Sequence, residues 1–464
     1  MRYWLRILHD FGHINPKEFV SSFYLSYHGF HVDAKKAILA ATLNATSRSF
    51  SGFVLVLYLA SLGYTLRDIG LITSIGLMCG AASLLPSGRL ADYLGRARAM
   101  VCSVFLSIFG TVIYIFSNSF FTFVLASSTM GIADSMYGPA YSALLSNKVS
   151  DKRRNYLFGA ERFSTMVGST SAIFFAGLVP DILEKSGYTL GLGFRIVLLI
   201  SIFVLICEIP FLYNIADRDN ADELENLDGG SYTQPSLEKV KDYKTESKED
   251  YIVENIIDDK RIDKKEKGKE RFWILDKEST SYIAKYTFAN SLIAFGAGFV
   301  IPFMQLYFTI HYKAPMAIVA SVFSITSLLM AISYLLVPKL AERIGSIRTI
   351  VFTQGVSILM LIAIPLSYPY FTLAAIFYLV RTVLMNAASP IGTSYILGCV
   401  KKNERAFAAS IITLLYNVSN SLSPPISGWI MANYNMDIPF FICALFYMVA
   451  CGAYYFFFEN KDRK

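Results

Sequence analysis

The chain has 464 residues, of which 54% are hydrophobic, 15% aromatic and only 17% charged, with a formal net charge of +7 and a mean hydropathy of +0.45. That is too apolar for an ordinary soluble domain and points to a membrane protein. The positive excess is not a nucleic-acid footprint, because it sits in short loops between apolar runs, where helix orientation and anionic lipid explain it.

The opening segment, 1–37, lacks the long apolar core and small-residue cleavage site of a secretory signal peptide. Its Trp4, Phe11, Phe23 and Tyr24 suit an amphipathic helix lying at the membrane interface. His9/His13 and His28/His31 have helical spacing, but no cysteine accompanies them and carboxylates are few, so no metal site is expected.

Twelve apolar runs follow, near 38–61, 69–87, 99–117, 120–146, 157–180, 191–213, 280–310, 315–338, 347–366, 371–398, 406–430 and 436–458. Each is about the 20 residues that a bilayer core demands of a helix. Helices are required because lipid leaves every backbone N–H and C=O to be satisfied within its own segment. No alternating segments suggest a membrane β-barrel. The expected organisation is an interfacial segment (1–37), a six-helix bundle (38–215), a charged linker (216–279), a second six-helix bundle (280–458) and a tail (459–464).

Within the linker, residues 216–278 hold nineteen acidic and thirteen basic side chains, too polar to bury a core, and read as a solvated connection. All six cysteines fall in or at the ends of apolar runs, with no CxxC pair, so no disulfide framework is expected. Thirteen Lys or Arg residues lie in the loops on one side of the runs and four on the other. By the positive-inside rule both termini face the cytoplasm. No Gly-rich phosphate loop is present, so ATP-driven transport has no support.

Two stretches are related. "PSGRLADYLGRARAM" (86–100), shifted by 250 positions, meets "VPKLAERIGSIRTI": Arg89 meets Lys339, Ala91 Ala341, Asp92 Glu342, Gly95 Gly345 and Arg98 Arg348. With a drift of one residue, Pro139 meets Pro390. Two parallel six-helix repeats are a known transporter plan.

"GRLADYLGRAR" also resembles the signature loop of the major facilitator superfamily, roughly G-x-L-x-D-x-x-G-R-K/R-K/R, between the second and third helices. Gly88, Leu90, Asp92, Gly95, Arg96 and Arg98 supply it, with Ala97 at one usually basic place. The resemblance implies an all-α membrane protein with twelve transmembrane helices in two bundles. It also implies that this loop latches one bundle to the other on the cytoplasmic side. The second copy has Ser346 in place of Arg96, so the two latches are unequal. Glu161, at the start of the fifth run, is a candidate partner for Arg96.

Ionisable residues inside a membrane are costly and mark function. Arg48, Asp134 and Arg381 lie within the first, fourth and tenth runs, with Asn386 near Arg381. The resemblance puts the first, fourth, seventh and tenth helices around a central cavity. It therefore gathers Arg48, Asp134 and Arg381 around one site at similar depth, with Asn290 and Gln305 as polar contacts and Tyr137 and Tyr141 as walls. Asp134 is the candidate proton carrier; a permanent Arg48–Asp134 pair that only holds helices together is the alternative. Glu208 and Arg195, near run ends, are expected to snorkel to the interface.

The resulting expectation is a plasma-membrane secondary transporter, monomeric, working on a small molecule. It needs no cofactor, is driven by a proton or other ion gradient, and is neither an enzyme nor a nucleic-acid binder. The signature loop and "FGAGFVIPFMQLYF" resemble efflux members of that family, and the resemblance implies proton-coupled efflux of metabolites or drug-like compounds. Two features depart from efflux relatives: the fourth run lacks their usual Arg, and the fifth, "MVGSTSAIFFAGLVP", lacks a glycine-proline motif. Uptake of an organic anion or sugar-like nutrient, and a non-transporting scaffold on the same fold, are the alternatives.

Overall fold

A computed structural model describes residues 32–146, 148, 154–213, 215, 277–401 and 404–462. The four N-terminal histidines and nearly all of the linker lie outside the described residues. Among the described residues every regular element is helical.

The first half consists of six helices: Val32–Ser61, Leu66–Leu94, Arg96–Phe116, Phe120–Ser146, Arg154–Lys185 and Leu190–Tyr213. In the second half the seventh helix is interrupted, running Lys277–Val300, a 3-10 turn Ile301–Phe303 and then Met304–Ile310. The eighth is Met316–Ile344 and the ninth Ser346–Leu366. The tenth is split into Phe371–Ala387 and Ser389–Gly398; the eleventh is Arg405–Asn433 and the twelfth Ile438–Asp462. Pro302 and Pro390 sit at the two interruptions, where a proline removes an N–H and crowds the carbonyl one turn earlier. Among the described residues nine helices are long and apolar enough by composition to cross a membrane; the first, fourth and eleventh, richer in polar residues, are not.

Helices run past the apolar stretches because their ends need not be greasy once outside lipid. The first begins at Val32, with Asp33 and Lys36 pairing in its first turns at 3.5 Å. The second starts at a capping box, Thr65 accepting from the Asp68 N–H and Asp68 from the Thr65 N–H. It then continues through Pro86 and Gly88 to Leu94. Gly88 therefore turns nothing, contrary to the loop expected between the runs 69–87 and 99–117, and nothing stands where a Cβ would project from it. The turn is Gly95 alone, at φ 93° and ψ 144°, a region that L side chains avoid.

The duplication is visible in the backbone. Gly345 has φ 92° and ψ 152° and, like Gly95, is the single residue between two helices. Gly95 N–H donates to Ala91 O at 3.1 Å and Gly345 N–H to Ala341 O at 2.9 Å. Packing repeats as well. The first helix lies against the fifth and sixth, as the seventh lies against the eleventh and twelfth; the fourth lies against the second and third, as the tenth against the eighth and ninth.

The halves meet along two lines, second helix to eleventh and fifth to eighth. These contacts concentrate away from the face that carries the chain ends. Gly70 sits against the backbone of Pro424 and Pro425, Gly428 against Leu66 and Arg67, and Gly177 against Met316 and Ala320. Ser74 Oγ donates to Ser421 O, Ser324 Oγ to Thr170 O at 2.9 Å, and the Phe53 and Phe323 rings meet edge-on at 5.9 Å. Small residues permit this close approach, and packing with interhelical hydrogen bonds is what holds helices together in lipid. On the termini face, Leu85, Leu90 and Tyr93 of the second helix are exposed. Among the described residues, the molecule is closed on the face opposite its described chain ends and open on the face that carries them.

The closed face is sealed by aromatic side chains in the second half. Tyr307 Oη donates to Asp437 Oδ1 at 2.6 Å, His311 Nε2 lies 3.6 Å from the same oxygen, and the Tyr307 and His311 rings stack at 4.8 Å. Tyr312, in the turn beyond the seventh helix, donates to Ile364 O at 2.5 Å. Burial, with the Asp437 charge adding, pushes its pKa up to about 12, so the donor persists at neutral pH.

Candidate functional site

Arg48 and Asp134 lie near the middle of the first and fourth helices, each roughly 20 Å from the closed face at 1.5 Å per residue. Arg48 Nη2 donates to Asp134 Oδ2 at 2.7 Å. Both side chains are near half exposure, 47% and 44%. A charge pair at this depth is tolerable when it faces a water-filled interior rather than lipid.

Behind the pair, toward the termini face, the first half holds a second polar cluster. Glu208 of the sixth helix is 0% exposed and does not snorkel. Asn44 Nδ2 of the first helix donates to its Oε2 at 3.1 Å, while its Oε1 has no partner. Tyr137 of the fourth helix stands against it, and the Tyr137 and Tyr141 rings stack at 6.0 Å. Both tyrosines are buried within the bundle, so they back the Arg48–Asp134 pair rather than wall an open site. Arg195, also expected to snorkel, instead donates from Nε to Tyr58 Oη at 3.1 Å.

Arg381 occupies the second half. It is 1% exposed, donates from Nη2 to Tyr447 Oη at 2.8 Å, and lies over the Tyr447 ring at 5.6 Å. Ser357 Oγ of the ninth helix donates to its carbonyl at 3.0 Å, fixing that stretch of the tenth helix. Arg381 lines a cavity of about 300 Å³ among the seventh and ninth to twelfth helices, with Asn290, Gln354, Asn386 and Asn420. Asn386 Nδ2 is engaged with Thr382 O at 2.8 Å. Gln305, beyond the interruption of the seventh helix, does not line this cavity.

The candidate residues thus fall into two groups. Arg48, Asp134 and Tyr137 gather in the first half, and Arg381, Asn290 and Asn386 in the second. Among the described side chains no hydrogen bond or ion pair joins the two groups. Glu208, Asn44, Gln354 and the tyrosines around Arg381 were missed. An acid inside the apolar run "LICEIPF" was the available signal for Glu208. The tyrosines carried none, since rings on a membrane helix face lipid as readily as a cavity.

At the signature loop, Arg96 Nη1 donates to Ala143 O at 2.8 Å, within its own half. The expected Arg96–Glu161 pair is not formed; Glu161 lies 3.6 Å from Arg162. Arg98 is exposed. Asp92 and Glu342 lie in the last turns of the second and eighth helices, and their side chains lie outside what the structure describes. Every ion pair between described side chains stays within one half.

The Major Facilitator Superfamily profile matches residues 37–249 and 286–464. The chain belongs to this superfamily. It is accordingly a membrane transporter, not an enzyme. Over 355 residues it is 22% identical to the uncharacterized membrane protein YJR124C of Saccharomyces cerevisiae, covering 74% of this chain and 76% of that one. Its fold is similar to the nucleoside transporter NupG, at 13% identity and TM-score 0.67 over 93% of this chain and 100% of that one. It is similar also to a bacterial homologue of the human lysosomal transporter Spinster, at 15% identity and TM-score 0.67 over 91% and 96%. A bacterial homologue of the iron transporter ferroportin matches at 11% identity and TM-score 0.67 over 91% and 97%.

Proposed function

We propose that this protein is a proton-coupled secondary transporter that moves a small solute by rocking its two halves around a midplane site. The observation that carries the reading is the 2.7 Å Arg48–Asp134 pair at mid-depth, half exposed in a molecule open on one face. Asp134 takes up a proton when the pair parts and releases it when the guanidinium returns, because a nearby cation favours the carboxylate. Arg48 keeps its charge throughout.

The open face is the cytoplasmic one and the membrane the plasma membrane; thirteen basic loop residues on the termini side against four opposite support that orientation. The Gly95 turn, with Arg96 and Arg98, regroups to latch the halves when the cytoplasmic side closes. Export is the favoured direction, on the resemblance of the signature loop and of the start of the second half to efflux members.

The test is reconstitution into liposomes under an imposed pH gradient. Asp134→Asn should abolish gradient-driven accumulation while leaving solute exchange. Full gradient-driven transport by the variant would sink the proton role. Opposite accumulation in right-side-out and inside-out vesicles reads the direction.

A further inference from the structure

We propose that the cavity of the second half binds the acidic group of a small, free organic anion, with Arg381 as its counter-charge. This deepens the transporter reading above and rests on it.

The argument starts from an uncompensated charge. A guanidinium does not lose its proton in a protein, so Arg381 is a cation wherever it sits. It is 1% exposed, and among the described residues no carboxylate lies within 4.0 Å of it. Asp134, the other carboxylate placed at mid-membrane, is held by Arg48. The groups that face Arg381 include Tyr447, Cys443, Tyr378 and Tyr416, all neutral partners. A buried charge without a counter-ion is among the costliest arrangements a protein can hold. Here it persists beside an empty volume, and its Nε has no partner.

The surroundings orient the guanidinium for a ligand. The Tyr447 hydroxyl and ring fix its plane, and Nε keeps an N–H without a partner for a carboxylate or phosphate oxygen. Arg381 is the only charged residue lining the cavity among the described residues. Asn290, Gln354 and Asn420 offer amides, which hydrogen-bond hydroxyl or carbonyl groups but do not neutralise a cation. About 300 Å³ is at the small end of ligand cavities, which suits a metabolite rather than a long lipid.

The experiment uses the full-length protein in detergent. Melting is followed with succinate, lactate and glycerol 3-phosphate, with the neutral counterparts succinamide, lactamide and glycerol, and with inorganic phosphate. At least one organic anion should raise the melting temperature while its neutral counterpart does not. Arg381→Met should weaken that anion about 10- to 100-fold, and Arg381→Lys less. Without ligand, Arg381→Met should melt no lower than the parent, since it removes an unpaired charge; this readout needs no knowledge of the solute.

A ligand-free Arg381→Met protein that melts far below the parent would assign Arg381 a structural counter-ion and overturn the proposal. So would equal responses to anions and neutral counterparts, no response to any anion, or a response to inorganic phosphate alone. Protection only in nanodiscs containing phosphatidylglycerol would assign the site to a lipid headgroup and likewise overturn it. Failure of the transporter reading looks different. Arg381-dependent anion binding with no flux in liposomes removes transport and keeps the site, whereas flux of uncharged solutes untouched by Arg381→Met does the reverse.

Discussion

The two halves share a scaffold and differ in what they bury. Gly95 and Gly345 take the same left-handed conformation, and the helix pairings repeat one for one. Yet the first half neutralises its mid-depth cation internally, at the Arg48–Asp134 pair, whereas the second leaves Arg381 without a described carboxylate beside a cavity. Helix contacts diverge too. Gly76 and Gly131 bring the second and fourth helices backbone to backbone. At the position 250 residues on from Gly76 stands Thr326, and the eighth and tenth helices pack less closely. A duplicated fold thus keeps the turns whose positive φ calls for glycine and varies both its interhelical contacts and the side chains that meet water or solute.

The largest effect should come from that glycine contact. A side chain at Gly131 meets the Gly76 carbonyl, so Gly131→Leu should destabilise by about 3 kcal/mol, as overpacking does. Thermal melting of the purified chain reads it, and Thr326→Leu in the looser second-half pairing should cost less. Next come the twin turns. Gly95→Ala and Gly345→Ala should each cost about 1–3 kcal/mol, because both impose a strained φ, and the two losses should be similar. Markedly unequal losses would break the equivalence of the halves.

A third comparison probes the cluster found in the first half alone. Glu208→Leu strands the Asn44 amide without its acceptor and should cost about 1–3 kcal/mol, while Glu208→Gln, which retains a carbonyl acceptor, should cost less. Equal melting of the two variants would show that the bond contributes nothing. The smallest effect is expected at the half-exposed pair. Arg48→Met should cost about 1 kcal/mol, since solvent screens the partner left behind, and adding Asp134→Leu should restore part of it. Non-additivity in the double-mutant cycle measures the pair itself.

Much of this was legible from residues alone. The spans followed from apolar run length, the duplication from the 250-residue shift, and the family from Gly88 to Arg98. Gly88 shows the limit: a glycine and a proline inside an apolar helix look like a turn, but the helix bridges both, because packing and neighbouring residues override weak local preferences. Glu208 shows another. Its distance from the run end suggested snorkelling, while Asn44, 164 residues earlier, gives it a buried partner.

The sequence by itself determined the membrane location of the chain, its helical spans, the place of its inner charges along them and its two-fold repetition. These depend on hydropathy and spacing, which are properties of consecutive residues. Only the tertiary structure decided that Arg48 meets Asp134 while Arg381 does not, that Arg96 turns to Ala143 rather than Glu161, and that one face is closed. Those outcomes depend on which helix faces rotate toward each other. Small residues at the crossing points set that rotation, and no local period encodes it.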